Sequence, residues 1–288
     1  MKKVLVIGAT GMLGAAVTEV LTADPAFKVT ATTRKTFDID DDLARLDELV
    51  RGHQWIVNAA GITKPLIRDD NALRINSQFP HALAKAAEAA GAQVIQIATD
   101  GVFSGADGPY YEDDPHDAAD IYGRSKSLGE VHSPAVIHLR CSIIGPEPAE
   151  PKYLLEWLRH QPQSATVYGF TNHWWNGITT LHFARLTAGI ARGTIILPPV
   201  QHVLPAGVMT KADLLRELAR CYKRTDLRIE DAEAPNRVDR TLATRHPDVN
   251  AALWRAAGYV QPPSIAHMIE ELAAFPFRFT GRPRDTNG

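Results

Sequence analysis

Residues 4–14 read VLVIGATGMLG, four strand-forming apolar residues followed by Gly8, Gly11 and Gly14 at three-residue spacing. The run opens into LGAAVTEVL, whose apolar residues recur with the period of a helix. A strand that passes into a helix through glycines is suited to phosphate. The glycines permit a tight turn and close backbone approach, and the unpaired N–H groups at the helix start, with the positive end of its dipole, attract an anion. A turn serving only strand-to-helix packing is the alternative, and the spacing is G-x-x-G-x-x-G instead of G-x-G-x-x-G.

Beyond this turn, short apolar runs alternate with helix-period segments: KVTATT, WIVNAA, QVIQIAT and AVIHLR follow VLVIG. Such alternation predicts an α/β fold, a Rossmann-type doubly wound parallel sheet with crossover helices. Helices are expected over 13–23, 43–50 and 80–90, the last closed by Gly91. A further helix is expected in TKADLLRELARCY. From Pro146 prolines become frequent and Trp157, Trp174 and Trp175 appear. This change predicts a nucleotide-binding domain over 1–145 plus about 178–200. A smaller C-terminal substrate-binding lid region is expected over about 146–177 and 201–280. The stretch from Arg278 lacks apolar periodicity and is expected to fray, with 281–288 a flexible tail.

The formal net charge of −2 and the absence of Lys/Arg blocks give no electrostatic footprint for nucleic acid or an anionic membrane, so neither is an expected partner. Cys141 and Cys221 fit neither a disulfide framework nor a zinc ribbon, and read as buried thiols in a reducing compartment. No apolar run approaches the roughly 18 residues of a membrane span, and no secretory leader is apparent, which makes a cytoplasmic enzyme the expectation. The histidines form no H-E-x-x-H or comparable pattern, so no metal is expected. Ser142 lacks the G-x-S-x-G frame of a hydrolase.

The chemistry-bearing residues lie in the middle of the chain. Tyr122 and Lys126, in DIYGRSKSLGE, stand one helical turn apart on a segment expected to run toward Pro134. The lysine charge would lower the phenol pKa toward neutrality and make Tyr122 a proton donor and acceptor, unless the pair is surface decoration. Thr99 and Asp100 fall just past a strand end, where open α/β sheets bind ligands, although a strand-end cap looks the same. After the second strand the chain reads TTRKTF, with no acid before Asp38. A basic residue at Arg34 suits the 2′-phosphate of NADP, so NADPH is expected, with NADH the alternative; a solvated loop charge is the competing reading.

The set GATGMLG, FDIDD, NAAGIT, RINSQFP, ATDGVFSG and YGRSKSLGE resembles the extended short-chain dehydrogenase/reductases, within them the dTDP-4-dehydrorhamnose reductase branch. The resemblance covers about 145 residues closely and the remainder loosely. It implies NADPH-dependent reduction of the 4-keto group of a nucleotide-diphosphate 6-deoxysugar, in polysaccharide or glycosylated-metabolite synthesis. It further implies that Gly8, Thr10, Gly11, Met12, Leu13 and Gly14 hold the cofactor pyrophosphate, with Asp38 and Ile39 by the adenine. Ala59, Ala60, Gly61 and Thr63 would lie by the ribose and nicotinamide. Thr99, Tyr122 and Lys126 would be the catalytic set, with Lys126 also holding the nicotinamide ribose.

Asp100, Gly101, Ile143 and Arg240 would face the substrate. Gly101 and Ile143 replace aromatic residues usual in the branch, which points to another sugar, such as a UDP-linked N-acetylated one. His173, Trp174 and Trp175 would either stack on the substrate or pin the lid to the core. Arg237 and Arg240 would grip a diphosphate or pair with Asp239 or Glu233. Other readings are an epimerase with tightly held NAD(P), or a cofactor-binding regulatory subunit without turnover. The partners expected are the nucleotide sugar and a second copy of the chain in a homodimer.

Overall fold

The computed structural model describes residues 1–64, 67, 69–149, 151–193 and 195–280. Five strands of the first half, β1 (Lys2–Ile7), β2 (Phe27–Ala31), β3 (Trp55–Asn58), β4 (Gln93–Ala98) and β5 (Val136–Arg140), join the strand Val200–His202 in one sheet. The spatial order is Val200–His202, β5, β4, β3, β1, β2, and every pairing is parallel. Helices α1 (Met12–Thr22), α2 (Leu46–Val50), α3 (Asp69–Leu73), α4 (Phe79–Ala90) and α5 (Ile121–Leu128) belong to the same half.

A parallel sheet covered on both faces needs strands that are apolar on both sides. In β1, Val4 and Val6 enter one core, with Leu13, Val17 and Leu21 of α1 and residues of the helix Thr180–Ala191. Leu5 and Ile7 enter the other, with Leu46 and Val50 of α2 and Phe79 and Leu83 of α4. The chain order along the sheet reverses between β1 and β3, so the ends of these strands flank a crevice.

Gly91 closes α4 with φ of 66°, a left-handed conformation favourable to glycine. The segment expected to be helical over 43–50 opens instead as a 3-10 turn, Leu43–Arg45, before α2. Helix α5 stops at Leu128, well short of Pro134. Gly129 packs so closely on Asn76 that a Cβ there would lie 1.9 Å from the Asn76 carbonyl oxygen. Tertiary packing ends this helix before the proline is reached.

Past Ile144 the strands are short. His173–Trp175 pairs antiparallel with Met209–Thr210 and parallel with Val238–Asp239, while Thr166–Phe170 pairs parallel with Arg228–Ala232. The amphipathic helix Lys211–Cys221 buries Leu214, Leu215 and Leu218 and is capped by Thr210, which accepts from the Asp213 N–H. Residues 278–280 do not fray as expected: they form a 3-10 turn beside the buried Phe277, and the Arg278 N–H donates to Glu19. Residues 281–288 lie outside the described residues. Cys141 is buried and Cys221 is partly exposed. Among the described residues no helix is long and apolar enough to cross a membrane.

The turn after β1 leaves no space for side chains on its inner side: a Cβ on Gly14 would lie 2.1 Å from the Gly8 carbonyl oxygen. Gly14→Ala is therefore expected to cost about 1–3 kcal/mol, the range for overpacking a tight contact, and to lower the urea midpoint. An unchanged midpoint would show that the helix does not approach the turn this closely.

Candidate active site

The crevice between β1 and β3 begins at Gly8, whose φ is 84°. A Cβ on Gly8 would meet the Ala60 nitrogen at 2.8 Å, so the first glycine brings the two strand ends together. Gly11 is open by comparison, with only the Gly8 carbonyl oxygen, at 3.5 Å, near its Cβ position. It also caps α1, and no side chain satisfies the N–H groups there. Bare N–H groups at a helix start beside a side-chain-free turn form an anion cradle that fits a dinucleotide pyrophosphate.

Gly8, Thr10, Gly11, Arg34, Asp38, Ile39, Ala59, Ala60 and Gly61 line one continuous cleft, together with Thr32, Thr33 and Phe37. Four other residues expected to contact the cofactor are placed differently. Leu13 is buried in the core beneath α1, so only its backbone can face a ligand. Gly14 packs on Gly8, which makes it a packing glycine instead of part of the cradle. Met12 starts α1, outside the cleft lining, and the Thr63 hydroxyl is engaged by the Tyr153 hydroxyl. Arg34 is exposed at the cleft edge and has no ion-pair partner among the described residues.

Two buried amides fix the loop after β3. Asn58 donates to the Gln96 amide oxygen at 2.7 Å and accepts from the Ala60 N–H at 3.2 Å. Asn76 accepts from the Ile62 N–H and donates to the Ile62 carbonyl, both at 2.8 Å, and reaches Ser125 of α5 at 3.0 Å. Asn76 lies in the RINSQFP motif, but its bridge between the cofactor loop and α5 has no local sequence signature. Helix α5 is capped by Asp120, which accepts from the Gly123 N–H at 2.8 Å and pairs with Lys64 at 2.6 Å.

The Thr99 hydroxyl ends β4, accepting from the Gly101 N–H at 3.0 Å and donating to Asp100 at 3.3 Å. Tyr122 lies alongside: a Cβ on Gly101 would be 2.9 Å from its ring and 3.2 Å from the Thr99 hydroxyl. Gly101 is thus the floor on which the tyrosine rests, and the space that an aromatic residue would need is taken. The Tyr122 phenol is pushed up to about 12, chiefly by burial, with the charge of Asp100 acting in the same direction and Thr99 partly opposing it.

This corrects the expectation of a phenol lowered toward neutrality. Lys126, one helical turn on, donates to the Ile97 carbonyl at 3.1 Å, and burial lowers it to about 8. In the free protein the phenol keeps its proton at neutral pH and the lysine does not create a resting phenolate. Burial also raises the Asp100 carboxyl, against the opposing charges of Arg240 and Lys211.

The aromatic segment divides. Neighbouring strand residues face opposite ways. Trp175 is buried in the core and donates from Nε1 to the Ser142 hydroxyl at 2.8 Å, which makes it a packing residue instead of an open stacking platform. Trp174 lines a second cavity with Tyr111, Asn176, Leu204, Val208 and Asp239, and carries the Arg237 guanidinium 4.8 Å above its ring. His173 packs on Phe170 and contacts the Asn236 carbonyl, so neither residue lines the cofactor cleft. Ile143 is half-buried against the core and pairs with Ile178. Arg237 pairs with Asp239 at 3.6 Å, whereas Arg240 donates to the Phe103 carbonyl at 2.8 Å.

The profile of the family described as RmlD substrate binding domain matches residues 1–144, the half that carries this site. The chain belongs to that family. A dTDP-4-dehydrorhamnose reductase of Streptomyces griseus is 39% identical over 132 residues, 44% of this chain and 43% of that protein. The methionine adenosyltransferase 2 subunit beta of Bos taurus is 32% identical over 139 residues, 45% of this chain and 42% of that protein. The matches therefore span under half the length of these curated relatives. The crystal structure of dTDP-4-dehydrorhamnose reductase from Bacillus anthracis in complex with NADP superposes with a TM-score of 0.76 at 19% identity, covering 94% of this chain and 99% of that one. The likeness of fold to that structure thus extends through the C-terminal region of this RmlD-family chain as well.

The burial difference between the two tryptophans is measurable. Trp175→Ala should cost about 3–5 kcal/mol, as large aromatic truncations in cores do, and Trp174→Ala distinctly less. Denaturant titration of both variants provides the comparison, and equal losses would contradict the division.

Proposed function

We propose that the protein is an NADPH-dependent reductase of the 4-keto group of a nucleotide-diphosphate 6-deoxysugar. The observation that carries this reading is that the Thr99 hydroxyl and the Tyr122 ring meet over Gly101 while the Lys126 ammonium reaches the Ile97 carbonyl, all at the C-terminal end of β4. We assign the cofactor half to 1–145 with about 178–200, and the substrate half to about 146–177 with 201–280.

In this reading Gly8, Gly11 and the α1 N–H groups hold a pyrophosphate, while Arg34 at the cleft edge meets a 2′-phosphate. When bound, NADPH supplies hydride chemistry. Thr99 donates a hydrogen bond to the keto oxygen, and Tyr122 delivers its proton to the same atom as that oxygen becomes an alcohol. The raised phenol pKa keeps that proton available at neutral pH. Lys126 holds the cofactor ribose, and its positive charge favours the phenolate left after transfer. A regulatory subunit without turnover is less favoured, because it does not need this set of three side chains.

Tyr122→Phe keeps the ring and removes the transferable proton. Turnover of a dTDP-linked 4-keto-6-deoxysugar, followed by NADPH oxidation, should fall roughly 10²- to 10⁴-fold with NADPH affinity intact. Full turnover would overturn the assignment.

Arg34→Ala removes a cation with no ion-pair partner among the described residues, so NADPH should bind about 10- to 100-fold more weakly, the equivalent of a charge-assisted hydrogen bond, while NADH binding changes little. Equal use of both cofactors by the wild type would refute this role.

A further inference from the structure

The guanidinium of Arg140 lies buried at the end of β5, level in the sheet with Ala98, the residue before Thr99. Its Nε and Nη2 donate to the two carboxylate oxygens of Glu130 at 3.1 and 2.6 Å. Nη2 also donates to Nε2 of His116 at 2.9 Å, and Nη1 to Nε2 of His202 at 2.7 Å. A guanidinium has no acceptor, so each imidazole accepts at Nε2 and, being neutral, carries its proton on Nδ1. The remaining contacts follow from that tautomer. His202 Nδ1 donates to the Ala243 carbonyl at 2.6 Å, and His116 Nδ1 donates to the Ser127 hydroxyl at 2.7 Å.

Ser127 follows Lys126 on α5, and this is the one hydrogen bond of its hydroxyl among the described residues. The earlier turns of α5 are tied to the loop after β3 and to Asn76, through Asp120 with Lys64 and Ser125 with Asn76. At the last turn His81 of α4 contacts the Leu128 carbonyl at 3.0 Å. The chain Ser127–His116–Arg140 instead ties that turn to the strand beside β4, at the level of Thr99. Tyr122 and Thr99 sit on different elements, so their separation depends on how the helix is held against this end of the sheet.

We propose that His116 is a positioning residue for Tyr122, a neutral ring that bridges Ser127 to Arg140 and so sets the separation of α5 from the Thr99 strand end. Its kinetic consequence rests on the reductase reading above; the bridge itself does not. Protonation at Nε2 would replace the acceptor by a donor facing the guanidinium. The groups that face the ring are Arg140 of β5, Glu130 past α5 at 3.8 Å, Ser127 of α5, Asp117 of its own loop and the Phe103 ring. Burial holds the imidazole below its ordinary 6.5, with Glu130 opposing and Arg140 reinforcing the shift. The ring is therefore neutral and the bridge closed at neutral pH, and the bridge opens only as pH falls below 6.5.

The test uses the full chain as wild type, Ser127→Ala, Ser127→Thr and His116→Gln. Glutamine offers Arg140 an acceptor but has no donor where Nδ1 stands. Nitrogen NMR of the wild type at neutral pH should show His116 protonated on Nδ1 and bare on Nε2; the opposite tautomer would overturn the bridge. The ζ-carbon resonance of Tyr122, assigned by its loss in Tyr122→Phe, should move in Ser127→Ala and His116→Gln and return in Ser127→Thr. With NADPH and a dTDP-linked 4-keto-6-deoxysugar, kcat should fall roughly tenfold in the first two variants with KM for NADPH unchanged, and recover in the third. The ratio of wild-type to Ser127→Ala kcat should shrink as acid protonates the ring. An unmoved Tyr122 resonance, an unchanged kcat, a loss that Ser127→Thr does not recover or a ratio independent of pH would each overturn the positioning role, whatever the change in stability. Should His116→Gln fail to fold, Ser127→Ala and Ser127→Thr carry the same comparison. No turnover by the wild type, with the Tyr122 resonance still moved by Ser127→Ala, would instead sink the reductase reading and leave the bridge standing.

Discussion

The rest of the structure depends on the approach of three backbone segments at the end of β1. Gly8 touches Ala60, and Gly14 touches Gly8, at distances that exclude a Cβ. This contact sets α1 against the sheet, brings the loop after β3 alongside, and leaves the helix start without a side-chain cap. One steric condition thus produces both the packing of the first core and the anion cradle. The glycines divide the work: Gly8 turns the chain, Gly14 allows the helix to dock, and Gly11 faces the cleft.

The second half of the site depends on polar groups that satisfy one another. Asn76 ties the loop after β3 to Ser125 of α5, and Asp120 caps that helix while pairing with Lys64. Farther along, Arg140 is buried at the end of β5, where Glu130 pairs with it at 2.6 Å and His116 and His202 contact its guanidinium. Removing one member of such a network would leave another charge uncompensated. The helix that bears Tyr122 and Lys126 is therefore held from both ends, which suits a site whose chemistry depends on position.

Burial also decides the charge states. Tyr122 and Lys126 are both shifted toward their neutral forms, the phenol upward and the ammonium downward. Spacing on a helix turn places the two on one face, yet the lysine is directed to the Ile97 carbonyl and the phenol is governed by its surroundings. A proton donor that stays protonated suits ketone reduction, which consumes a proton at oxygen.

The sequence by itself determined the parallel sheet, the glycine turn after β1 and the spacing of Tyr122 and Lys126 by one helical turn, because each is written in local periodicity or in residues a turn apart. Tertiary structure alone decided that Trp174 and Trp175 serve different surroundings, that Gly101 supports the tyrosine ring, and that Leu13 and Gly14 serve packing. It alone brought Arg240 to the Phe103 carbonyl across more than a hundred residues of chain. The physical reason is range: hydrogen-bonded periodicity and turn sterics act between near neighbours in sequence, whereas burial and charge depend on which distant segments fold against one another.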